Sequence, residues 1–391
     1  MKLKSQSDNK KRVLIIDGSS QQALPLIKGF NLLGFHVVVY SSHWYDAGRS
    51  YKYTDEIVEG FADFFNEEKT KESIFNVVMS GKYDLVIPTE DFFATILSKN
   101  KNLLSKYSFI YVNDWTIYQK AIDKLSTMTV CMEKDIPCPK TVLVNDFADI
   151  DVELEFPVVV KPRTSFGARG FNVVYNKEDL QGVVKKTEEE YGPVLVQEYI
   201  PQTDKQYQVE MVMGDDGECK AFVLMDKVRW YPLEGGSSTC NVTIHDEQIK
   251  RNCVALLSAI RWRGYASLDL IRDPRDGQAK IMEINPRING TAKICFAAGV
   301  DLSLLIAQEM YGKKVESQLD YKDGVVLRYF HKDILWFLKS KKRFNAKPSW
   351  FVFKDTVDEI FGWDDLRPAI LFTIASLKKL IQKKYYEQIQ P

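Results

Sequence analysis

The sequence predicts an α/β fold, and one β-α-β unit near the start of the chain carries that prediction. The apolar strand KRVLIID (11–17) leads into a helical pattern that ends at Gly34, and the strand HVVVYSS (36–42) follows. A further buried strand, YDLVIPTEDF (83–92), ends in polar residues. In open α/β sheets, loops at this end of the strands line a ligand crevice. The loop DGSSQQ after the first strand lacks the GxGxxG pattern, so a dinucleotide site is not favoured.

Length and composition limit the class of protein. The chain has 391 residues, enough for two or three domains, and its formal net charge is zero, so no overall charge attracts nucleic acid or membrane. The six cysteines form no CxxC pair and the four histidines are dispersed, which argues against zinc sites and disulfides. The basic N-terminus precedes an apolar run too short for a signal peptide, and no stretch approaches the about 20 apolar residues of a membrane span. We expect a soluble cytoplasmic protein.

A turn-rich hexapeptide, DPRDGQ, separates the strands YASLDLI (265–271) and AKIMEIN (279–285) and predicts a β-hairpin. Symmetric pairing about this turn places Asp269 opposite Glu283. The same register pairs Leu270 with Met282 and Ile271 with Ile281, and it gives one apolar face made of Leu268, Leu270, Met282 and Ile284. A slip by one residue would bring Leu270 to the polar face, which burial disfavours.

The polar face of this hairpin predicts a metal–phosphate site. Two opposite carboxylates, with Cβ atoms about 5 Å apart, repel each other unless a cation lies between them. Mg²⁺ is usually held by one or two carboxylates together with substrate phosphates, so Asp269 and Glu283 are candidate ligands. Asn285 adds a neutral oxygen, and Arg287 offers a planar fork to a phosphate. An ordinary solvated strand face is the alternative.

Two earlier segments could hold a nucleotide. The apolar strand in FPVVVKPRTSFGARGF (156–171) ends at Lys161, a point charge, and is followed by a loop with Gly167 and Gly170 whose N–H groups could cover phosphates. In VLVQEYIP (194–201), backbone groups of Glu198, Tyr199 and Ile200 could contact an adenine. Strands and loops of these kinds also occur in proteins that bind no nucleotide.

The order of these parts resembles the ATP-grasp superfamily over roughly residues 10–310. The matching parts are Lys124 in AIDKLST, VVVKP, TSFGARG, VQEYIP, Asp269 and EINPR. The nearest similarity is to the branch of the carbamoyl-phosphate synthase large subunit and of stand-alone carboxylate–amine ligases, including the D-aspartate ligase type. By its position alone, Lys124 could equally be a solvated lysine on a helix.

The resemblance implies a role for each matching residue. For ATP, it implies that Lys124 and Lys161 bind the phosphates, that Ser165, Gly167 and Gly170 lie in a covering loop, that Glu198, Tyr199 and Ile200 contact adenine, and that Asp204 binds ribose. For the metal, it implies that Asp269, Glu283 and Asn285 hold Mg²⁺ (or Mn²⁺). It also implies that Arg287 stabilises the transferring phosphoryl group. Related ligases meet their carboxylate substrate near VRW (228–230) and EGGSSTCN (234–241). There Arg229 would clamp a carboxylate, and Gly235, Gly236 and Ser237 would lie near an acyl phosphate, unless this is only a surface strand and loop.

The resemblance also implies a domain layout. It consists of a Rossmann-like pre-ATP-grasp domain at 1–115 and an ATP-grasp domain at 116–330, with a lid at about 130–200 and a metal-site subdomain at about 201–330. Residues 331–391 match no motif and are expected to form a largely helical extension. Its last segment, 366–386, predicts an amphipathic helix with Lys378, Lys379, Lys383 and Lys384, which either packs on the protein or contacts a membrane surface.

The function implied is an ATP-dependent carboxylate–amine ligase, with small-molecule acid and amine substrates, the amine generally an amino acid. A homodimer is compatible with the sequence. Two alternatives are a bicarbonate-using enzyme of the carbamoyl-phosphate synthase or biotin carboxylase kind, and a nucleotide-binding protein without catalytic activity. The first lacks a second ATP-grasp copy and a biotin-carrier segment, and the complete Asp269/Glu283/Asn285/Arg287 set argues against the second.

Overall fold

The computed structural model describes residues 10–143, 154–164, 169–201, 205–233 and 236–389, which form three β-sheets with surrounding helices. The strands are β1 (Arg12–Ile16), β2 (His36–Ser41), β3 (Glu56–Glu59), β4 (Leu85–Pro88), β5 (Phe109–Ile110), β6 (Thr141–Leu143), β7 (Val158–Pro162), β8 (Asn172–Val174), β9 (Val194–Glu198), β10 (Gln206–Met213), β11 (Cys219–Tyr231), β12 (Ser237–Ile244), β13 (Gly264–Arg272), β14 (Ala279–Asn285), β15 (Val326–Arg328) and β16 (Thr356–Asp358). The helices are α1 (Ala23–Leu32), α2 (Glu67–Val78), α3 (Asp91–Lys99), α4 (Lys101–Leu104), α5 (Trp115–Ile122), α6 (Lys124–Glu133), α7 (Lys177–Tyr191), α8 (Glu247–Ala259), α9 (Lys293–Ala298), α10 (Leu302–Met310), α11 (Phe330–Lys339) and α12 (Arg367–Ile389).

The N-terminal sheet has five parallel strands in the order β3-β2-β1-β4-β5. The β-α-β unit predicted at residues 11–42 is present, and Gly34 follows α1 with a left-handed φ of 87°. The predicted strand at 83–92 is shorter, because β4 ends at Pro88 and Asp91 begins α3. That places the polar residues Thr89 to Asp91 at the carboxyl edge of the sheet.

A four-stranded sheet, β6-β9-β7-β8, carries the predicted nucleotide-binding strands. Its strand β7 is buried along its whole length, which agrees with the apolar sequence before Lys161. Helix α7 packs against the sheet through Leu180 and Val184. The sheet therefore holds Lys161 at the end of a rigid strand.

The largest sheet has seven strands in the order β14-β13-β10-β11-β12-β15-β16. Part of the segment 234–241 is a strand: β12 begins at Ser237 and pairs with β11, with Asn241 opposite Lys227. Strand β16 lies within the C-terminal extension, so this extension contributes a strand as well as helices.

The β13–β14 hairpin has the predicted register only near its polar residues. Asp269 lies opposite Glu283 and Leu268 opposite Ile284, as expected, but the register then shifts, so that Leu270 pairs with Ile281. The predicted pairs Leu270–Met282 and Ile271–Ile281 are therefore wrong. The irregularity turns Ile281 into the core and leaves Met282 half-buried.

The C-terminal extension contacts the N-terminal domain. The Nε2 of Gln21 donates to Glu359 Oε2 (2.5 Å), and Lys28 Nζ lies 2.9 Å from Asp364 Oδ2. In α12, Lys378 Nζ lies 4.5 Å from the ring centre of Tyr45. The side chains of Lys379, Lys383 and Lys384 lie outside the described residues.

No single helix among the described residues is long and apolar enough to cross a bilayer. A bent pair, Gly290–Ala298 with Leu302–Met310, meets the length and composition criteria with an angle of 96° between its halves. Its apolar side chains, such as Ile294 and Leu305, belong to the main hydrophobic core. This pair is therefore explained as core packing.

Candidate active site

The hairpin places two carboxylates side by side, and lysines neutralise both. Asp269 and Glu283 are directly opposite, and Asn285 Nδ2 donates to Asp269 Oδ2 (2.9 Å). Lys227 Nζ forms an ion pair with Asp269, and Lys124 Nζ lies 3.7 Å from Glu283 Oε2. The positive charges of these two lysines offset the repulsion between the two carboxylates.

Lys124 and Lys161 come from different elements that are tied together. Asp123 caps α6 by accepting from the Leu125 N–H (3.1 Å), and its carboxylate also binds the Arg163 guanidinium through Nε (3.1 Å) and Nη2 (2.5 Å). The backbone N–H of Lys124 donates to the Arg163 carbonyl (3.0 Å). The start of α6 is thereby joined to the end of β7, which holds both lysines near Glu283.

Lys161 is buried, and its ammonium group loses its proton more easily than that of an exposed lysine. Burial lowers its pKa to about 8; Glu283 opposes this shift and the charge of Lys124 adds to it. A polyanion bound here would favour the protonated lysine. The site thus holds positive charge that a phosphate group would stabilise.

Arg287 is held by the N-terminal domain. Its Nε donates to Asp91 Oδ2 (3.1 Å), and its Nη2 lies 3.0 Å from the same oxygen. The buried Nη1 has no hydrogen-bond partner in the part of the chain that the structure describes. Burial opposes the charge of Arg287, but Asp91 and Glu90 outweigh it and raise its pKa. Arg287 also borders a cavity of about 510 Å³ lined in part by Tyr111 and Arg263.

Glu90 and Glu210 also lie near this arginine, and Glu359 lies near Glu210. Burial raises the pKa of Glu90 and of Glu210 to about 7, and it raises the pKa of Glu359 well above its usual range. Glu210 is fully buried and accepts hydrogen bonds from Thr291 and Tyr265, so it is a structural group. Glu90 accepts from Gln22 Nε2 (2.9 Å). Because Glu90 is only half-buried, its carboxylate stays accessible for proton transfer.

The segment expected to contact adenine connects two sheets. Ile200 is buried and Tyr199 is half-buried after the end of β9. The carboxylate of Glu198 accepts from Arg275 Nη2 (2.5 Å) in the hairpin turn, and Asp273 anchors that same arginine. The turn thereby links the four-stranded sheet to the seven-stranded sheet.

Asp269, Glu283 and Asn285 are the candidate ligands for a divalent metal. Among the described residues, no group of three or more His, Cys, Asp or Glu side chains could hold a metal ion. Two opposed carboxylates with a neighbouring amide form an incomplete oxygen shell, which suits an ion that takes its remaining ligands from nucleotide phosphates and water. Asp269, Glu283 and Asn285 therefore fit Mg²⁺ bound together with a nucleotide.

Only some of the expected loop residues lie in the described part of the chain. Ser165, Gly167, Asp204 and Gly235 lie outside the described residues. Gly170 has φ of 70°, and a Cβ there would lie 2.7 Å from Pro162 Cγ, so this position requires glycine. Gly236 is equally restricted, since its Cβ would meet the Tyr231 carbonyl oxygen at 2.7 Å. The exposed Ser237 accepts from Lys332 Nζ (3.1 Å).

Arg229 does not meet the expectation of a substrate clamp. It is 1% exposed, and its Nε and Nη2 donate to the two oxygens of Asp333 (2.8 and 3.0 Å), while Nη1 donates to the Pro348 carbonyl (3.0 Å). A carboxylate clamp needs donors that face the substrate. In this structure Arg229 forms a buried ion pair with Asp333, which connects β11 to α11.

Three residues near the site were not singled out from the sequence. They are Asp91, which holds Arg287, Lys227, which pairs with Asp269, and Asn241, which lies opposite Lys227. Asn241 is fully buried, and neither its amide nitrogen nor its amide oxygen has a hydrogen-bond partner among the described residues. The polar end of the strand before Asp91 was the one usable sequence signal; the other two contacts depend on sheet pairing.

Comparison with known families agrees with this geometry. Residues 121–291 match the model of the ATP-grasp domain. This range includes Lys124, Lys161, Asp269, Glu283 and Arg287. The match covers the four-stranded sheet and both strands, β13 and β14, that carry the paired acids.

Two sequence relatives are informative. D-aspartate ligase of Enterococcus faecium (strain Aus0004) is 27% identical over 251 residues, which make up 59% of this chain and 59% of that protein. The carbamoyl phosphate synthase large chain of Thermotoga petrophila (strain ATCC BAA-488 / DSM 13995 / JCM 10881 / RKU-1) is 21% identical over 349 residues, 85% of this chain but 31% of the relative. The chain thus spans less than two thirds of either relative.

Solved structures share the fold. Biotin carboxylase from Campylobacter jejuni, in a β,γ-ATP complex, superposes with a TM-score of 0.66 at 17% identity, covering 81% of this chain and 74% of that chain. L-amino acid ligase from Bacillus licheniformis superposes with a TM-score of 0.60 at 15% identity, covering 78% and 75%. The chain therefore carries an ATP-grasp domain at residues 121–291, related in sequence to D-aspartate ligase and to the carbamoyl phosphate synthase large chain.

Proposed function

We propose that this protein is a cytoplasmic ATP-dependent ligase that joins a carboxylate to an amine and releases ADP and phosphate. The observation that carries the proposal is the opposed pair Asp269 and Glu283, next to Lys124 and Lys161, inside the segment that matches the ATP-grasp domain. The relationship to D-aspartate ligase supports an amino acid as one substrate.

The reaction fits the charges of the site. A carboxylate oxygen of the acid attacks the γ-phosphorus of ATP, the bond to the β-phosphate oxygen breaks, and ADP leaves. The amine then attacks the acyl carbon, phosphate leaves, and the amine loses a proton. Phosphoryl transfer depends mainly on positioning and charge neutralisation, which is the role proposed for Lys124, Lys161 and Arg287. A metal ion held by Asp269, Glu283 and Asn285 would neutralise phosphate charge when bound; Mg²⁺ is proposed, with Mn²⁺ as a substitute.

The second step requires a proton acceptor, and Glu90 is proposed for it. Its pKa of about 7 lets it exist in both protonation states near neutral pH, and the charge of Arg287 acts on it. Gln22 holds one of its oxygens from the loop after β1. Since this loop lies on the N-terminal domain, we place the amine substrate between that domain and Arg287.

The carboxylate substrate is assigned to the sheet face beside Lys227 and Asn241. Within the described part of the chain, the buried amide donor and acceptor of Asn241 have no partners, which is costly unless a ligand uses them. Lys227 is its cross-strand neighbour, so a carboxylate near Lys227 would have the amide within reach. Asn241 and Lys227 replace Arg229 as the proposed substrate contacts.

A phosphate-release screen tests the function. Pairs of amino acids and other small acids and amines are incubated with Mg-ATP, and the products are identified by mass spectrometry. We expect phosphate release that requires both an acid and an amine, together with an amide product. Glu283→Gln should abolish turnover and retain the fold, whereas Glu68→Gln, on the exposed surface of α2, should behave as wild type.

Other products would contradict the proposal. AMP and pyrophosphate would exclude the acyl-phosphate route. Phosphate release stimulated by bicarbonate alone would favour the bicarbonate-using alternative; biotin carboxylase shares the fold of this chain. Binding of Mg-ATP without turnover for any substrate pair would favour a regulatory protein.

A further inference from the structure

The C-terminal extension presents a strongly basic surface in a chain whose net charge is zero. Residues 338–354, LKSKKRFNAKPSWFVFK, contain six basic residues and no acidic ones. The basic residues are Lys339, Lys341, Lys342, Arg343, Lys347 and Lys354. All of them except the half-buried Arg343 are exposed. The positive charge is therefore concentrated on one solvent-facing segment.

Large apolar side chains lie among these charges. Leu338 is 62% exposed, Phe344 67%, Phe351 55% and Phe353 71%. We refer to these four side chains and the six basic ones as the basic-aromatic patch. Soluble monomers rarely expose large apolar side chains in such a group unless the group binds something.

The patch is held in place by ring contacts. The ring of Phe337 lies 5.5 Å from Phe344, 4.6 Å from Trp350 and 5.7 Å from Phe351. Trp350 Nε1 donates to the Asp333 carbonyl (3.3 Å), and Asp333 is the buried partner of Arg229. The exposed rings thus project from a fixed base.

We propose that the basic-aromatic patch docks this protein on an anionic lipid bilayer. Lysines next to exposed aromatic and aliphatic side chains suit the bilayer interface, where the cations meet lipid headgroups and the apolar groups enter the acyl boundary. The outer side of α11 extends this surface with the exposed aliphatic residues Ile334 and Leu335. Aliphatic side chains favour a bilayer over a single-stranded nucleic acid, which is bound by cations and stacking rings.

Vesicle co-sedimentation of the full chain tests the proposal. We expect binding to phosphatidylglycerol-containing vesicles, little binding to pure phosphatidylcholine vesicles, and weaker binding as salt rises from about 0.1 M to about 0.5 M. Lys341→Glu/Lys342→Glu/Lys347→Glu and, separately, Phe344→Ser/Phe351→Ser/Phe353→Ser should each lower the apparent affinity about tenfold or more. Thermal melting checks that each variant is folded.

Matched controls use exposed residues elsewhere. Lys185→Glu/Lys186→Glu/Lys314→Glu changes the net charge equally, and Phe65→Ser removes a fully exposed ring. Both should bind vesicles as wild type does. Absence of wild-type binding to anionic vesicles would overturn the proposal, as would equal loss in the charge control. Tight binding of a single-stranded oligonucleotide, or patch-dependent self-association, without vesicle binding would also overturn it.

Discussion

Asp91, the first residue of α3, accepts two contacts from Arg287, which lies 196 positions later in the chain. Two of the three guanidinium nitrogens face Asp91, and the third is buried with no partner among the residues that the structure describes. Residues before the matched segment thus hold an arginine that lies within it. Through this contact they could influence the proposed phosphoryl transfer.

The Asp91–Arg287 contact predicts the kinetic effect of losing its charge. Asp91→Asn should lower kcat by about tenfold or more with little change in KM for ATP, because a misplaced arginine stabilises the transition state less. Steady-state phosphate release measures both constants. Asp84→Asn, just before β4 and paired with the exposed Lys11, is the control. An equal rise in KM for ATP with unchanged kcat would contradict a positioning role.

Arg229 predicts a loss of stability, since it is buried against Asp333. Arg229→Met should lower the free energy of unfolding by about 3–5 kcal/mol, because Asp333 is left buried without its main partner. Denaturant unfolding measures this change. The double variant Arg229→Met/Asp333→Leu should recover much of the loss. A stable single variant with a raised KM for the acid would restore Arg229 as a substrate contact.

Lys161 predicts proton uptake on nucleotide binding. Its pKa of about 8 is lower than that of an ordinary lysine, and bound phosphates would raise it, so the protein should take up protons when Mg-ATP binds at pH 8 to 9. Affinity should therefore fall as pH rises above about 8. Calorimetry in buffers of different ionisation enthalpy measures the uptake. Lys161→Met should remove it, and Lys314→Met should not. Proton release by wild type would contradict the assignment.

If Glu90 is the proton acceptor, its ionisation should produce the acidic limb of the pH–rate profile. A proton acceptor must be ionised, so kcat should rise as pH rises through about 7, provided that amine attack limits the rate. Glu90→Gln should lose this limb and most of the rate, and Glu90→Asp should keep the limb with a lower rate. An unchanged limb in Glu90→Gln would move the role to another group.

Part of this site could be predicted from the sequence because local rules decide it. The turn DPRDGQ and the alternation of polar and apolar residues were sufficient to place Asp269 opposite Glu283. The shift at Met282 was missed, because core packing, and not alternation, selects Ile281 for burial. Hairpin symmetry is therefore a reliable guide near the polar residues and fails at an irregularity.

Contacts between distant segments account for the residues that the sequence did not reveal. Nothing local distinguishes Arg229 from a surface arginine; its burial depends on α11, which begins about a hundred residues later. Strands β15 and β16 have three residues each, too few for a periodic pattern, yet they extend the sheet that carries Asn241. The partner of Arg287 could not be predicted for the same reason.

Replacing the buried amide of Asn241 should stabilise the protein but weaken binding of the acid. A buried amide with no partner costs free energy, so Asn241→Leu, which removes the polar group at similar volume, should raise the free energy of unfolding by about 1–3 kcal/mol. If the amide is kept for the substrate, the same change should raise KM for the acid about tenfold or more while KM for ATP stays within about twofold. Thr239→Val, in the same strand as Asn241, serves as the control. The Thr239 hydroxyl donates to Asp333, so its loss should only destabilise the protein. Equal KM values for the acid in wild type and Asn241→Leu would remove Asn241 from the substrate pocket, and lower stability would show that its amide has a partner within the fold.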